Sequence, residues 1–275
     1  MVRIEKNATH ISVESTYALP NTGSQTSARF DALAAIFDPG TIRHIEERGI
    51  SREWKCLEVG GGGGSIAAWL CERTGPAGRV LATDIDTGFL EKLCLPNLEV
   101  RRHDIVSDPL PEAAFDLVHA RLVLMHLPGR ETALKRMAAA VKPGGWLLVE
   151  EFDAFSIYPD PSISPFEVRL RTNVAFRQIV AERNVELRYG RLLPGLLRAH
   201  GLINIGAEGR VFMWQGSSAG ATLTRATCEQ LRGAIINSGL ISEWEFDRDL
   251  ARLDEEDYLA PSPILWAAWG LRPSE

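Results

Sequence analysis

The chain has 275 residues, 45% hydrophobic and 24% charged, an ordinary globular composition that excludes a disordered or collagen-like chain. Its length exceeds a minimal module and falls short of two independent domains of about 100–200 residues each, so one core needing no disulfide staples is expected. Thirty Lys and Arg against 36 Asp and Glu leave a net charge of −6, which argues against nucleic acid as a partner.

Residues 1–24 read as a polar arm with turn signals at Pro20, Asn21 and Gly23. The stretch from Met1 to Thr16 is polar with no apolar signal core, and no run reaches the ~18 residues of a membrane span, so a cytoplasmic protein is expected. Cys56, Cys71, Cys94 and Cys228 share no metal-like spacing and read as reduced thiols, and no metal site is expected. From Ser27 a helical face of Phe30, Leu33, Ala34, Ile36 and Phe37 begins. Asp38-Pro39-Gly40 is expected to break it, with a second helix running to about Arg48 and Gly49 at its end.

The texture then changes. Strands are expected at 55–59, 79–83, 98–102, 115–120 and 146–150, with helices at 66–73 and 131–141, the latter ended by Pro143-Gly144-Gly145. Such alternation implies a parallel sheet with helices on both faces. After Phe152, Pro159, Pro161 and Pro165 mark an irregular connection. Helices are then expected at 166–183, 192–199 and 221–237, and strands at 203–214 and 264–271.

The chemistry concentrates at Glu58-Val59-Gly60-Gly61-Gly62-Gly63-Gly64-Ser65, between a strand and a helix. Glycines let the backbone turn sharply and approach a ligand, and the helix N-terminus offers unpaired N–H groups. Asp84 ends the second strand, 24 residues after Gly60, close to the ~20-residue spacing at which an acid meets ribose hydroxyls. Asp104 ends the third strand and can accept from an adenine amine, with Ile85 and Ile105 sandwiching the purine. Each Asp alone could be a helix or turn cap. Two at successive strand ends favour a nucleotide.

These residues resemble the class I S-adenosylmethionine-dependent methyltransferases. Glu58 to Gly64 resembles the family's acid and glycine signature, Asp84-Ile85 its ribose acid, and Asp104-Ile105 its adenine pair. Phe115-Asp116-Leu117-Val118, Leu124-Met125-His126-Leu127-Pro128 and Val141-Lys142-Pro143-Gly144-Gly145-Trp146 resemble its fourth strand, the following loop and the turn into its fifth strand. The resemblance covers 56–152 in motif detail. It implies a doubly wound, mostly parallel seven-stranded sheet with an N-terminal helical arm and an insertion after strand 5. By resemblance, residues 1–50 cover the active site and 51–275 form the cofactor domain, with 153–200 as a substrate-pocket insertion.

The resemblance further implies S-adenosylmethionine as cofactor and S-adenosylhomocysteine as product. Glu58 would hold the methionyl amino group, Gly60 and Gly62 would touch its amino-acid part, Asp84 would grip the ribose and Asp104 with Ile105 the adenine, and Gly61, Ser65, Ile85 and His103 would also bind the cofactor. Ala120 and Arg121 would also reach the methionyl part, Tyr17 would close over the cofactor, and Arg29 would hold its carboxylate. His126, then His119, are the candidate catalytic bases, with a scaffold role open for each. Glu151 and Asp153 are alternative carboxylates. Phe152, Phe155, Tyr158 and Phe176 are expected to line a pocket for a hydrophobic small molecule, a natural product by the same resemblance. A homodimer formed through the arm is a further expectation. Two alternatives stay open: a nicotinamide-dependent oxidoreductase, whose G-x-G-x-x-G would put Gly where Ser65 stands, and a non-catalytic cofactor-binding scaffold.

Overall fold

A computed structural model describes residues 25–156 and 169–274. In chain order these form α1 (Thr26–Glu47), β1 (Lys55–Val59), α2 (Ser65–Thr74), β2 (Arg79–Asp84), β3 (Leu98–Arg102), β4 (Phe115–Arg121), α3 (Arg130–Ala140), β5 (Val141–Asp153), α4 (Arg169–Glu182) and α5 (Tyr189–Ala199). They continue with β6 (Ile203–Arg210), β7 (Met213–Gln215), α6 (Ala219–Gln230), α7 (Arg232–Asn237), α8 (Glu243–Ala251), β8 (Leu259–Pro261) and β9 (Ile264–Leu271).

Seven strands form one sheet in the order β3-β2-β1-β4-β5-β9-β6, the expected doubly wound, mostly parallel architecture. Only β9 runs antiparallel to its neighbours β5 and β6. Alternation along each central strand divides the core in two. Leu57, Val59, Val118, Leu147 and Val149 face α3 and α5 with Leu134, Met137, Leu193 and Leu197. Cys56, Val80, Leu117 and Leu148 face the other way, onto Ile45 of α1 and Ile66 and Leu70 of α2. The order reverses between β1 and β4, so a crevice opens at their carboxyl ends.

Four local expectations are corrected. First, α1 is one helix that runs through Pro39. Proline inside a helix costs about 3 kcal/mol, and tertiary contacts around it offset that cost. Phe37 is buried edge-on against Phe152 and Phe212, and Arg121 holds both Asp38 and Thr41. Second, α3 ends at Ala140 rather than at the Pro-Gly-Gly turn, because Val141 already pairs with Phe115. The pairing then skips from Phe115↔Val141 to Leu117↔Trp146, so residues 142–145 bulge from β5.

Third, the expected strand 203–214 is two. β6 ends at Arg210, and Met213–Gln215 pairs with Leu259–Pro261 in a separate two-stranded ribbon. Fourth, the helix expected over 221–237 divides at Leu231 into α6 and α7, and α8 follows unforeseen. Its signal was legible: Ser242 and Glu245 form a capping box. Helices α6 to α8 and the ribbon form a cap between β6 and β9, where α6 packs on α1 and α4 meets α7 and α8. Among the described residues no helix is long and apolar enough to cross a membrane.

Candidate active site

A cavity of about 380 Å³ opens at the carboxyl ends of β1, β2, β4 and β5. Its near half is built from the strand ends. Gly60 and Gly62 have φ of +66° and +51°, backbone that L side chains rarely adopt. A Cβ on Gly60 would stand 2.3 Å from a methyl of Val123, and one on Gly63 2.8 Å from Cβ of Phe30. The loop is thus a bare-backbone cradle pressed between the β4 loop and α1. The Gly61 N–H donates to the Thr83 carbonyl at 3.0 Å, which ties the cradle to the end of β2.

Asp84 sits beside it. Its Oδ2 accepts from the Gly62 N–H at 2.9 Å and its Oδ1 from the Asp86 N–H at 3.1 Å. Burial pushes its carboxyl above the usual range, partly countered by these N–H donors. Each oxygen keeps a lone pair for a further donor, the arrangement needed to grip a diol. Asp104 organises the turn after β3, accepting from the Val106 N–H at 2.8 Å and the Ser107 hydroxyl at 3.0 Å. His103 Nε2 lies 3.3 Å from the Pro109 carbonyl, so that nitrogen carries the proton. Its Nδ1 is buried and without a hydrogen-bond partner among the described residues. That orphaned ring nitrogen, the carboxylates and the side-chain-free cradle suit a nucleoside bearing an amine and a diol.

Fifteen expected residues line this cavity: Arg29, Glu58, Gly60, Gly61, Gly62, Ser65, Asp84, Ile85, His103, Asp104, Ile105, Arg121, His126, Phe152 and Phe176. Arg29 is buried with its guanidinium 5.0 Å from the Phe30 ring centroid. Burial, with Arg29 and Arg130 adding positive charge, pushes His126 down to about 4, so it is neutral at physiological pH.

Other expectations are corrected by position. His119 is fully buried and lies outside the cavity, its ring clamped between Glu58 and Glu150, so it has no path to a substrate. Ala120 is fully buried and off the cavity wall; Arg121 and Leu122 stand there instead. Phe155 is exposed, near the guanidinium groups of Arg177 and Arg188, and does not line the cavity. Asp153 is paired with Arg191. Tyr17 and Tyr158 lie outside the described residues.

Glu151 is also structural. Its Oε1 accepts from the N–H groups of Val123 at 3.0 Å and Leu124 at 2.6 Å, closing the turn after β4. Burial pushes its carboxyl up to about 8. The unfolded chain therefore loses this proton first, and the Glu151 contribution, complete below the unfolded value of 4.5, is lost as pH rises to about 8. A Glu151→Gln variant is expected to gain in Tm over the parent progressively between about pH 5 and 8. A Tm difference that stays constant with pH would show the acid to be ionised throughout.

Of the far half of the cavity only Phe176 was foreseen. Past Met125 and His126 it runs under the cap, lined by Phe176 and Val180 of α4, Leu223 and Thr227 of α6, Leu250 of α8, and Leu253. These residues are scattered over about eighty positions, each legible only as the inner stripe of its own helix. The polar groups there are largely occupied: the Thr227 hydroxyl donates to the Leu223 carbonyl at 2.8 Å, Thr172 donates to Asp249, and Arg252 pairs with Glu255.

Comparison with known proteins finds methyltransferases. A family model described as a methyltransferase domain matches residues 57–149, from β1 into β5. The chain is 28% identical over 191 residues to methyltransferase str3 of Strobilurus tenacellus, covering 68% of this chain and 66% of that protein. It is 32% identical over 139 residues to the ubiquinone/menaquinone biosynthesis C-methyltransferase UbiE of Francisella tularensis subsp. novicida, covering 46% and 56%. The chain spans about half to two thirds of the length of such curated relatives. Among solved structures, phosphoethanolamine N-methyltransferase 2 of Haemonchus contortus shares the fold at a TM-score of 0.58 and 15% identity, covering 92% of this chain and 58% of that one. With the glycine cradle and the acids at three successive strand ends, the match makes residues 57–149 similar to a methyltransferase domain of the class I S-adenosylmethionine-dependent type.

Proposed function

We propose that this chain transfers a methyl group from S-adenosylmethionine to an oxygen, nitrogen or carbon atom of a hydrophobic small molecule, a natural product by its chemistry. The observation that carries this is the single continuous cavity. A nucleoside cradle and an apolar chamber line the same cavity, with His126 and Met125 also on its wall. UbiE is by name a C-methyltransferase of ubiquinone and menaquinone biosynthesis, whereas the Haemonchus structure holds phosphomonomethylethanolamine. A chamber of Phe176, Val180, Leu223, Leu250 and Leu253 with Asp249 among its polar groups favours an apolar acceptor over a phosphate.

Glu58, Asp84, His103 and Asp104 are the residues that would hold the cofactor, through its amino group, ribose and adenine. Arg29 would meet its carboxylate. When bound, S-adenosylmethionine supplies an activated methyl on a sulfonium. The protein then has to align the acceptor and exclude water. The chamber performs both tasks by burying the acceptor's apolar body under the cap.

His126 orients the acceptor rather than deprotonating it. A conjugate acid near 4 makes a feeble proton acceptor at neutral pH. Replacing His126 with Asn is expected to lower kcat by no more than about tenfold, well short of the roughly 10²–10⁴-fold of a lost general base. A larger loss, with a pH profile that titrates, would assign it the base. The function itself is tested by incubating the protein with S-adenosylmethionine and lipophilic phenols, quinones and amines. Acceptor-dependent release of S-adenosylhomocysteine supports the reading. Cofactor binding with no turnover on any apolar acceptor would favour a scaffold.

A further inference from the structure

His119 stands at the centre of a buried chain of charges. The β1–β4 register sets it directly opposite Glu58. Glu150 lies two residues past its β5 partner Leu148, on the same face of the sheet. The His119 Nδ1 is 2.6 Å from Glu58 Oε2, and its Nε2 is 3.4 Å from Glu150 Oε2. Carboxylate oxygens only accept, so satisfying both requires an N–H on each ring nitrogen, which only the imidazolium has. The two carboxylates outweigh the cost of burial and push His119 up to about 9.

The chain continues to α1. Thr41 donates its hydroxyl to Glu150 and accepts from Arg121 Nη1 at 2.8 Å, while Arg121 Nη2 donates to Asp38 at 2.7 Å. His44, the other titratable group α1 brings near Glu150, is kept neutral by burial. One end of the chain, Glu58, faces the nucleoside cradle. The other end is the helix that carries Arg29 and Phe30 to that same cradle.

We propose that His119 is a positioning residue: as an imidazolium it fixes the Glu58 carboxylate toward the cofactor's amino group, and through Glu150, Thr41, Arg121 and Asp38 it links that site to the seating of α1. The ligand's identity rests on the function proposed above; the charge state and the linkage do not. A neutral replacement leaves two buried carboxylates without their shared cation, and one of them takes up a proton. Cofactor affinity then becomes pH-dependent where the parent is not.

The test has three arms on the full chain. Imidazole ¹⁵N spectra of the parent at pH 7.5 are expected to show one histidine protonated on both nitrogens, absent from His119→Gln. Neutral tautomers for every histidine would overturn the charged state, whether or not the variant folds. Titration with S-adenosylhomocysteine is expected to give a Kd that is level from pH 6 to 8 in the parent. In His119→Gln it is expected to be about tenfold weaker at pH 6 than at pH 8. A uniform loss with no pH slope would overturn the positioning role. Thr41→Val removes the link without touching the cavity and is expected to weaken binding three- to tenfold and to abolish ligand-induced exchange protection in α1; unchanged affinity and protection would overturn the coupling. A parent that fails to bind S-adenosylhomocysteine would refute the proposed function, while the spectra would still decide the charge, and the change that Thr41→Val makes to the ligand-free exchange of α1 would still decide the link.

Discussion

An Asp84→Ala variant is expected to lose at least about a hundredfold in affinity for S-adenosylhomocysteine while remaining folded. Two hydrogen bonds from ribose hydroxyls to a carboxylate are together worth about 3 kcal/mol or more, which is two factors of ten. The same carboxylate accepts from the Gly62 N–H, so its loss also frees the glycine cradle at that residue. Burial already holds Asp84 at a cost, and removing the group relieves that cost. Stability is thus expected to change far less than affinity. Calorimetric titration alongside a thermal melt separates the two. An unchanged Kd would mean that the ligand lies elsewhere in the cavity.

The second large effect is expected at the other end of the cavity. Thr227 stands one turn past Leu223 on the inner face of α6, half-buried, with its hydroxyl satisfied by its own helix. Thr227→Trp adds an indole into chamber space rather than into packed core. Turnover on apolar acceptors is expected to fall at least about a hundredfold, because the proposed reaction relies mainly on alignment. The affinity for S-adenosylhomocysteine is expected to stay within about threefold. Kinetics and titration on one preparation check both. Loss of cofactor binding would show that the halves are not separate, and full turnover would place the acceptor outside the cap.

These effects draw on parts of the chain that differed in legibility. The strands could be read because each is a short apolar run between breakers, and β1, β3 and β9 match their expected bounds residue for residue. Glu58, Asp84 and Asp104 could be found because a doubly wound sheet puts every parallel strand's carboxyl end at one crevice. Pro39 misled because a local rule was set against contacts from distant segments, those of Phe152, Phe212 and Arg121. The apolar chamber was hidden for a similar reason. Its walls come from three helices and a ribbon, and nothing in α6 alone says that Thr227 faces a cavity rather than a neighbour. His119 was legible as a residue with a base and a scaffold role both open, and its position between Glu58 and Glu150 favours the scaffold. Strand register, invisible in sequence, puts a carboxylate on each side of its ring.

The most direct test of the central claim is calorimetric titration of the full chain with S-adenosylmethionine, S-adenosylhomocysteine and NADH. Micromolar binding of both sulfur compounds and none of NADH is expected, since the cradle ends in Ser65 and offers acids at three strand ends. Binding of NADH alone would contradict it and make the chain an oxidoreductase. Binding of none would reduce the glycine cradle to a turn.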